Sequence, residues 1–208
     1  MPVQLSLRPL VRRGPDGGVV IRADVVAAGT IAEAVQQTRD LLRQEDASDP
    51  AEVVDPFDAI VAELRAGDSA SAPRDPVLRR LLPDAVRDDA DAAAEFRTAT
   101  EPALRRRKSE AMDVVLADLA PLRAGAETVL VRADRVPAWL RGLNDVRLAL
   151  GAVLDIRSDD DLMAEVDAYL DEVDVTAAGE DAETLRAYRI IIYDMLTELQ
   201  ARIVDAVG

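Results

Sequence analysis

Cysteine and histidine are both absent from the 208 residues. Without them the chain cannot build a Cys/His zinc site, a thiolate nucleophile, a Ser-His pair or an imidazole acid-base catalyst. No disulfide can form, and regulation through a cysteine pair is ruled out. Aromatic residues are scarce at 3%, so the core must come from Ala, Val, Leu and Ile, a mixture that with abundant Arg favours helices. Long apolar runs are missing as well. The stretch from Leu148 to Leu154 is far below the ~20 residues that cross a bilayer, and Met1-Pro2-Val3-Gln4 has neither the charged nor the apolar region of a signal peptide. A cytoplasmic protein with no membrane association is expected. No Gly-x-x-x-x-Gly-Lys-Ser/Thr loop occurs, and no Gly-x-Gly-x-x-Gly follows a strand, so nucleotide chemistry has no support.

What is present is charge. Forty acidic residues against 25 basic give a net charge of −15, which disfavours non-specific binding to polyanions. Two apolar runs around Gly14-Pro15-Asp16-Gly17-Gly18 read as a β-hairpin, the first strand spanning Val3 to Arg13. Asp24 then caps a helix with Ile31, Ala34, Val35, Thr38, Leu41 and Leu42 inward, ending near Gln44. Residues 45–56 and 67–75 read as loops; between them Phe57, Ile60, Val61 and Leu64 share one helical side, and Val77 to Leu82 forms a turn or two. Asp88 to Ala99 reads as a helix with Phe96 inward. Thr100-Glu101-Pro102 reads as a fresh start, Thr capping and Pro in the first turn. The helix that follows carries Leu104, Ala111, Met112, Val115, Leu116, Leu119 and Leu122 and stops at Gly125.

Thr128 to Arg132 is a strand. Asp134 caps the next helix, lined by Trp139, Leu140, Leu143, Val146, Leu150 and Val153, and Ser158 opens another. The last helix runs from about Asp181 to Val207 along Leu185, Tyr188, Ile192, Leu196, Leu199 and Ile203. One echo supports this layout: Val19 to Val26 resembles Val129 to Val136, so two equivalent strands should pair in one sheet, each leading to a helix on the same face.

Carboxylates are the abundant acid-base groups, which makes a carboxylate-based hydrolase or metal-binding enzyme the alternative to weigh. The densest acidic stretch, Asp155 to Glu183, includes Asp159-Asp160-Asp161. Consecutive helical residues turn by ~100° each, so these three diverge, and helix capping and solubility account for them. The basic run Arg105, Arg106, Arg107 and Lys108 is the one candidate for nucleic acid or an acidic partner. It too spreads around its helix, with pairing to Glu101 or Glu110 as the plainer role. Beside Trp139, Arg141 and Asp145 are spaced to pair, and Asn144 and Arg147 are neighbours; such a cluster either binds a partner or docks one helix on another element. Ile190 and Tyr193 lie off the main stripe of the last helix, which makes it either central or shared with a second subunit.

Pro83-Asp84-Ala85-x-Arg87-Asp88-Asp89, Ala94-Glu95-Phe96-Arg97, Leu104 with Lys108, the block Trp139-Leu140-x-x-Leu143-Asn144-Asp145-x-Arg147-Leu148-Ala149-Leu150-Gly151, and Tyr193-Asp194-x-Leu196-x-x-Leu199-Gln200 together resemble the AosR-type actinobacterial proteins. That family was long catalogued as a domain of unknown function and is associated with oxidative-stress transcriptional regulation. The similarity runs from about Pro83 onward and is most specific in the Trp139 to Gly151 block. It implies a cytosolic regulator that acts at promoters or through a transcription partner. With no Cys, methionine oxidation at Met112, Met163 or Met195 is the formal substitute; Met112 and Met195 read as core residues, and redox sensing is expected to lie elsewhere.

The sequence therefore predicts an α+β protein, predominantly helical. A small antiparallel or mixed sheet, the N-terminal hairpin plus a strand near 128–132, packs on five to seven helices in one domain over 1–208. Residues 1–45 form hairpin plus helix, 46–83 loops and short helices, and 84–208 a helical portion with one strand. Function is read as non-catalytic regulation through a protein partner or a second copy of the chain, or through DNA at a modest basic patch. No catalytic residue, metal or cofactor is assigned. The rivals are the carboxylate enzyme and a structural homodimer.

Overall fold

The computed structural model describes residues 8–44, 73, 75–86, 89–156, 161 and 182–208. Within them the chain forms strand β1 (Leu10–Arg13), β2 (Val19–Arg22), helix α1 (Val25–Arg43), α2 (Pro76–Leu81), α3 (Ala90–Arg123), β3 (Thr128–Val131), α4 (Val136–Leu154) and α5 (Ala182–Val207). This is the expected predominantly helical α+β class, and the sheet is wholly antiparallel in the order β1-β2-β3. The expectations for residues 3–7, for the loops and helix within 45–72, and for the helix opened by Ser158 lie outside the described residues.

The hairpin turn follows from its glycines. Gly17 sits at φ +77° and Asp16 at +51°, a region that Gly enters freely and Asp more readily than most residues. Gly18 is needed for a different reason: a Cβ there would stand 2.6 Å from the carbonyl oxygen of Val131, so the turn presses directly against β3. The echoing strands do pair, with Val19 opposite Val131, Val20 opposite Leu130 and Ile21 opposite Val129. Equivalent positions are thus exchanged about the Val20–Leu130 pair, a local two-fold arrangement. Each strand leads into a helix of 19 residues, and both helices bury their apolar sides in one core with Val19, Ile21 and Val131.

Capping separates the two halves of the echo. Asp24 accepts a hydrogen bond from the Ala27 amide at 2.7 Å, as its position before α1 demands. Asp134 does not cap α4: it sits one residue too early and accepts instead from Arg132 Nε at 3.1 Å. The first turn of α4 is entered through Arg135, with Pro137 placed where a missing N–H does least harm.

The fresh start at Thr100-Glu101-Pro102 is not there, because α3 runs unbroken for 34 residues from its Asp89 cap. Pro102 removes one i to i−4 bond, but the helix is tied across it by side chains: Arg97 and Arg105 both pair with Glu101 at four-residue spacing. Thr100 turns its hydroxyl back to the Phe96 carbonyl and caps nothing. Arg97 takes the inward position and Phe96 is 50% exposed. Gly125, at φ +97°, ends the helix as expected.

Helix α3 packs along α1 on one side and α4 on the other, α5 lies against α4 and β1, and α2 rests on α4. At the α3–α4 crossing a Cβ on Gly142 would come within 3.2 Å of Val115, so the small residue sets the approach. Met112, Val115, Leu119, Trp139, Leu143, Val146, Leu196 and Ile203 are fully buried where these helices meet. Met195 is buried as well. The stripes break down at one end: Val153, Leu185 and Tyr188 are each more than 40% exposed and are not core residues.

Candidate functional site

The basic run disperses around α3 as the helical turn requires. Arg105 donates from Nε to Glu101 at 2.7 Å and from Nη1 to the carbonyl oxygens of Leu42 and Gln44, neutralising the negative end of α1. Arg106 faces solvent, 3.9 Å from Glu110, and Arg107 is exposed. Lys108 turns inward and places Nζ 2.5 Å from Asp145 Oδ1. The four side chains therefore form no common surface. A cavity of about 690 Å³ lies between the end of α1 and this part of α3, and the Arg97 and Arg105 guanidinium groups that line it are engaged with Asp84, Glu101 and the α1 carbonyls.

The Trp139 helix is polar where it meets α3. Trp139 is buried, and its Nε1 donates to Asp118 Oδ2 at 2.9 Å. Asp118 also receives Arg135, through Nε at 3.0 Å and Nη2 at 3.0 Å, so one carboxylate anchors the first turn of α4 and its indole. Asp145 pairs with Lys108, leaving Arg141 exposed on the outer side. Asn144 is half-buried.

Arg147 and Tyr193, far apart in sequence, are brought together. The Arg147 guanidinium lies 5.3 Å from the Tyr193 ring centre, a cation–π distance, and Nη1 donates to Gln200 at 2.8 Å. Its Nε is buried with no hydrogen-bond partner. Ile190 is buried against Leu154, with Ile156 and Tyr193 beside it. The second apolar side of α5 is therefore covered by the chain's own α4 and the residues after it.

Two further features were not visible in the residue spacing. A groove of about 310 Å³ opens between α1, α2, α4 and α5, with Leu185, Tyr188 and Val153 on its wall. On the other side of α5, Glu198 binds Arg202 at 2.5 Å and Arg8 at 2.8 Å; the Arg202 hydrogen bond, reinforced by Arg8 and opposed by burial, holds its carboxyl below the usual value of 4.5. A charged residue on α5 gave a sequence reader no indication of a partner as distant as Arg8. Among the described residues no three carboxylates converge on one point, and Asp159 and Asp160 lie outside them. None of the described helices is long and apolar enough to cross a membrane.

Comparison with known proteins places this sequence in a family. Residues 8–207 match the family described as Domain of unknown function (DUF2017), and the chain belongs to it. It is 32% identical over 129 residues to a Mycobacterium leprae protein provisionally named oxidative stress regulator AosR. It is 35% identical, again over 129 residues, to proteins named oxidative stress regulator AosR in Mycobacterium bovis and in Mycobacterium tuberculosis strain H37Rv. Each alignment covers 56% of this chain and 56% of the relative, so the chain matches little more than half of their length. No solved structure matches it.

Proposed function

From that family membership we propose that the chain is a non-catalytic regulatory protein of the oxidative-stress response that works by contact with other macromolecules. The observation that carries this reading is the likeness, over 129 residues, to proteins named as oxidative stress regulators. The chemistry of the chain supports it. Imidazole and thiol are absent, and the carboxylates nearest the core, Glu101, Asp118 and Asp145, are held by Arg and Lys, where they serve packing and not proton transfer. The chain has no thiol and buries Met112 and Met195, which favours an oxidant signal that reaches it through a partner and is passed on as a change in binding.

The test is transcriptional. Deleting the gene in its native host and challenging with peroxide should alter the induced transcript set, and restoring the chain should recover it. An unchanged transcript set in the deletion strain rejects the reading. Calorimetry with divalent cations addresses the carboxylate-enzyme rival: binding tighter than millimolar that is lost on replacing Asp159, Asp160 and Asp161 would favour it.

A further inference from the structure

We propose that the solvent face of the three-stranded sheet is a docking surface for an acidic segment of a partner protein that also carries apolar side chains. The proposal rests on the regulatory reading above and supplies it with a place and a partner chemistry. The strand register defines the face as two rows, Leu10–Arg22–Thr128 and Arg12–Val20–Leu130. In a chain with a net charge of −15, the strands Leu10–Arg13, Val19–Arg22 and Thr128–Val131 hold Arg12, Arg13 and Arg22 and no acidic residue.

Among the described residues neither Arg12 nor Arg22 forms an ion pair, whereas Arg8 and Arg132 beside them are paired with Asp194 and Glu198 and with Asp134. Two unneutralised cations on an otherwise anionic molecule are a local attractor for negative charge. The face is also apolar. Leu10 is 52% and Leu130 46% exposed, and a depression of about 520 Å³, lined also by Arg8, Asp24 and Glu127, continues the surface past Arg22 to Val25, itself half exposed.

These two properties select the occupant. The face carries no aromatic side chain, so it offers no platform on which bases could stack, and phosphate would leave the leucines uncovered. Two copies facing each other would gather four unneutralised arginines in one interface with no acidic strand residue to offset them. A segment with carboxylates and leucines satisfies both, and four residues of strand, ~13 Å, match about two and a half turns of an amphipathic helix.

The probe is a fluorescein-labelled 18-residue peptide with leucines at i, i+3, i+4 and i+7 spacing and Asp or Glu elsewhere, titrated into the full chain by anisotropy. Binding should weaken with salt and drop at least tenfold in the Arg12→Glu/Arg22→Glu variant, with Arg106→Glu unaffected. Replacing the peptide's leucines by serine should abolish it. If the charge reversal disturbs folding by circular dichroism, Arg12→Gln/Arg22→Gln takes its place. Absence of peptide binding, binding indifferent to both double variants, or tighter binding of an 18-base-pair duplex overturns the proposal.

In the native host the variant separates this inference from the reading beneath it. Where deletion alters the peroxide response and Arg12→Glu/Arg22→Glu restores it fully, the sheet face is not the docking surface and the regulatory role stands. Where deletion itself changes nothing, the regulatory role has failed.

Discussion

Removing Lys108 from the Lys108–Asp145 pair should be among the most damaging single changes in the molecule. The Lys108 ammonium lies 2.5 Å from Asp145, whose side chain is only 6% exposed, against 18% for the lysine. Stripping a buried carboxylate of its counter-charge costs about 3–5 kcal/mol, and the residual solvent at the lysine end places Lys108→Met near the lower figure. Asp145→Leu should cost less, about 1–2 kcal/mol, because the orphaned ammonium sits on a flexible stem that can reach water. The double variant Lys108→Met/Asp145→Leu leaves no buried charge and should fall within about 1 kcal/mol of the parent. The assay is equilibrium urea unfolding followed by the emission of Trp139, the single tryptophan and a fully buried one. A coupling of at least about 2 kcal/mol is expected from the cycle. Two single variants each below 1 kcal/mol, with additive effects, would show that the pair is screened like a surface ion pair and would refute the reasoning.

Asp118→Ala should cost about 2 kcal/mol in the same assay, since it strands the Trp139 N–H and the Arg135 guanidinium together; Asp118→Asn, which keeps an acceptor for the indole, should cost about half as much. Gly18→Ala must push a Cβ into the Val131 carbonyl and should lower stability by about 2 kcal/mol, read as a fall of about 5 °C in Tm; an unchanged Tm would mean the turn does not press on β3. Glu198 has its carboxyl depressed below 4.5, so the stability it contributes is complete above that pH and drains away as acid protonates it below. Glu198→Gln should therefore lose less stability than the parent between pH 5 and pH 3, and parallel acid curves for the two proteins would contradict the assignment.

The elements most legible in the sequence were those specified by neighbours along the chain. The Asp24 cap, the Gly14 to Gly18 turn and the stop at Gly125 each depend on backbone geometry that a few residues dictate, and all three are present. The echo between residues 19–26 and 129–136 was enough to foresee strand pairing, though not its exchanged register. Sequence reading failed where side chains from distant elements decide the outcome. Pro102 read as a beginning because local rules treat proline so, and the Arg97–Glu101–Arg105 ladder that carries the helix past it becomes evident only with Asp84 and the end of α1 in place. The inward turn of Arg97 in place of Phe96 has the same origin. Of the candidate site residues, the structure brings Arg147 and Tyr193 together and places Trp139 and Ile190 in the interior. The spacing that suggested an Arg141–Asp145 pair was satisfied by a stronger competitor, Lys108, 37 residues away.

Burial of Met112 and Met195 in the helical core has a practical corollary. Sulfur in thioether form is the softest target peroxide finds in a protein without thiols, and at these two positions the folded chain withholds it. The purified molecule should thus keep both side chains unmodified through mild peroxide treatment, and a gain or loss of complex formation after oxidising a mixture is to be traced to Met1, Met163 or whatever the chain was mixed with.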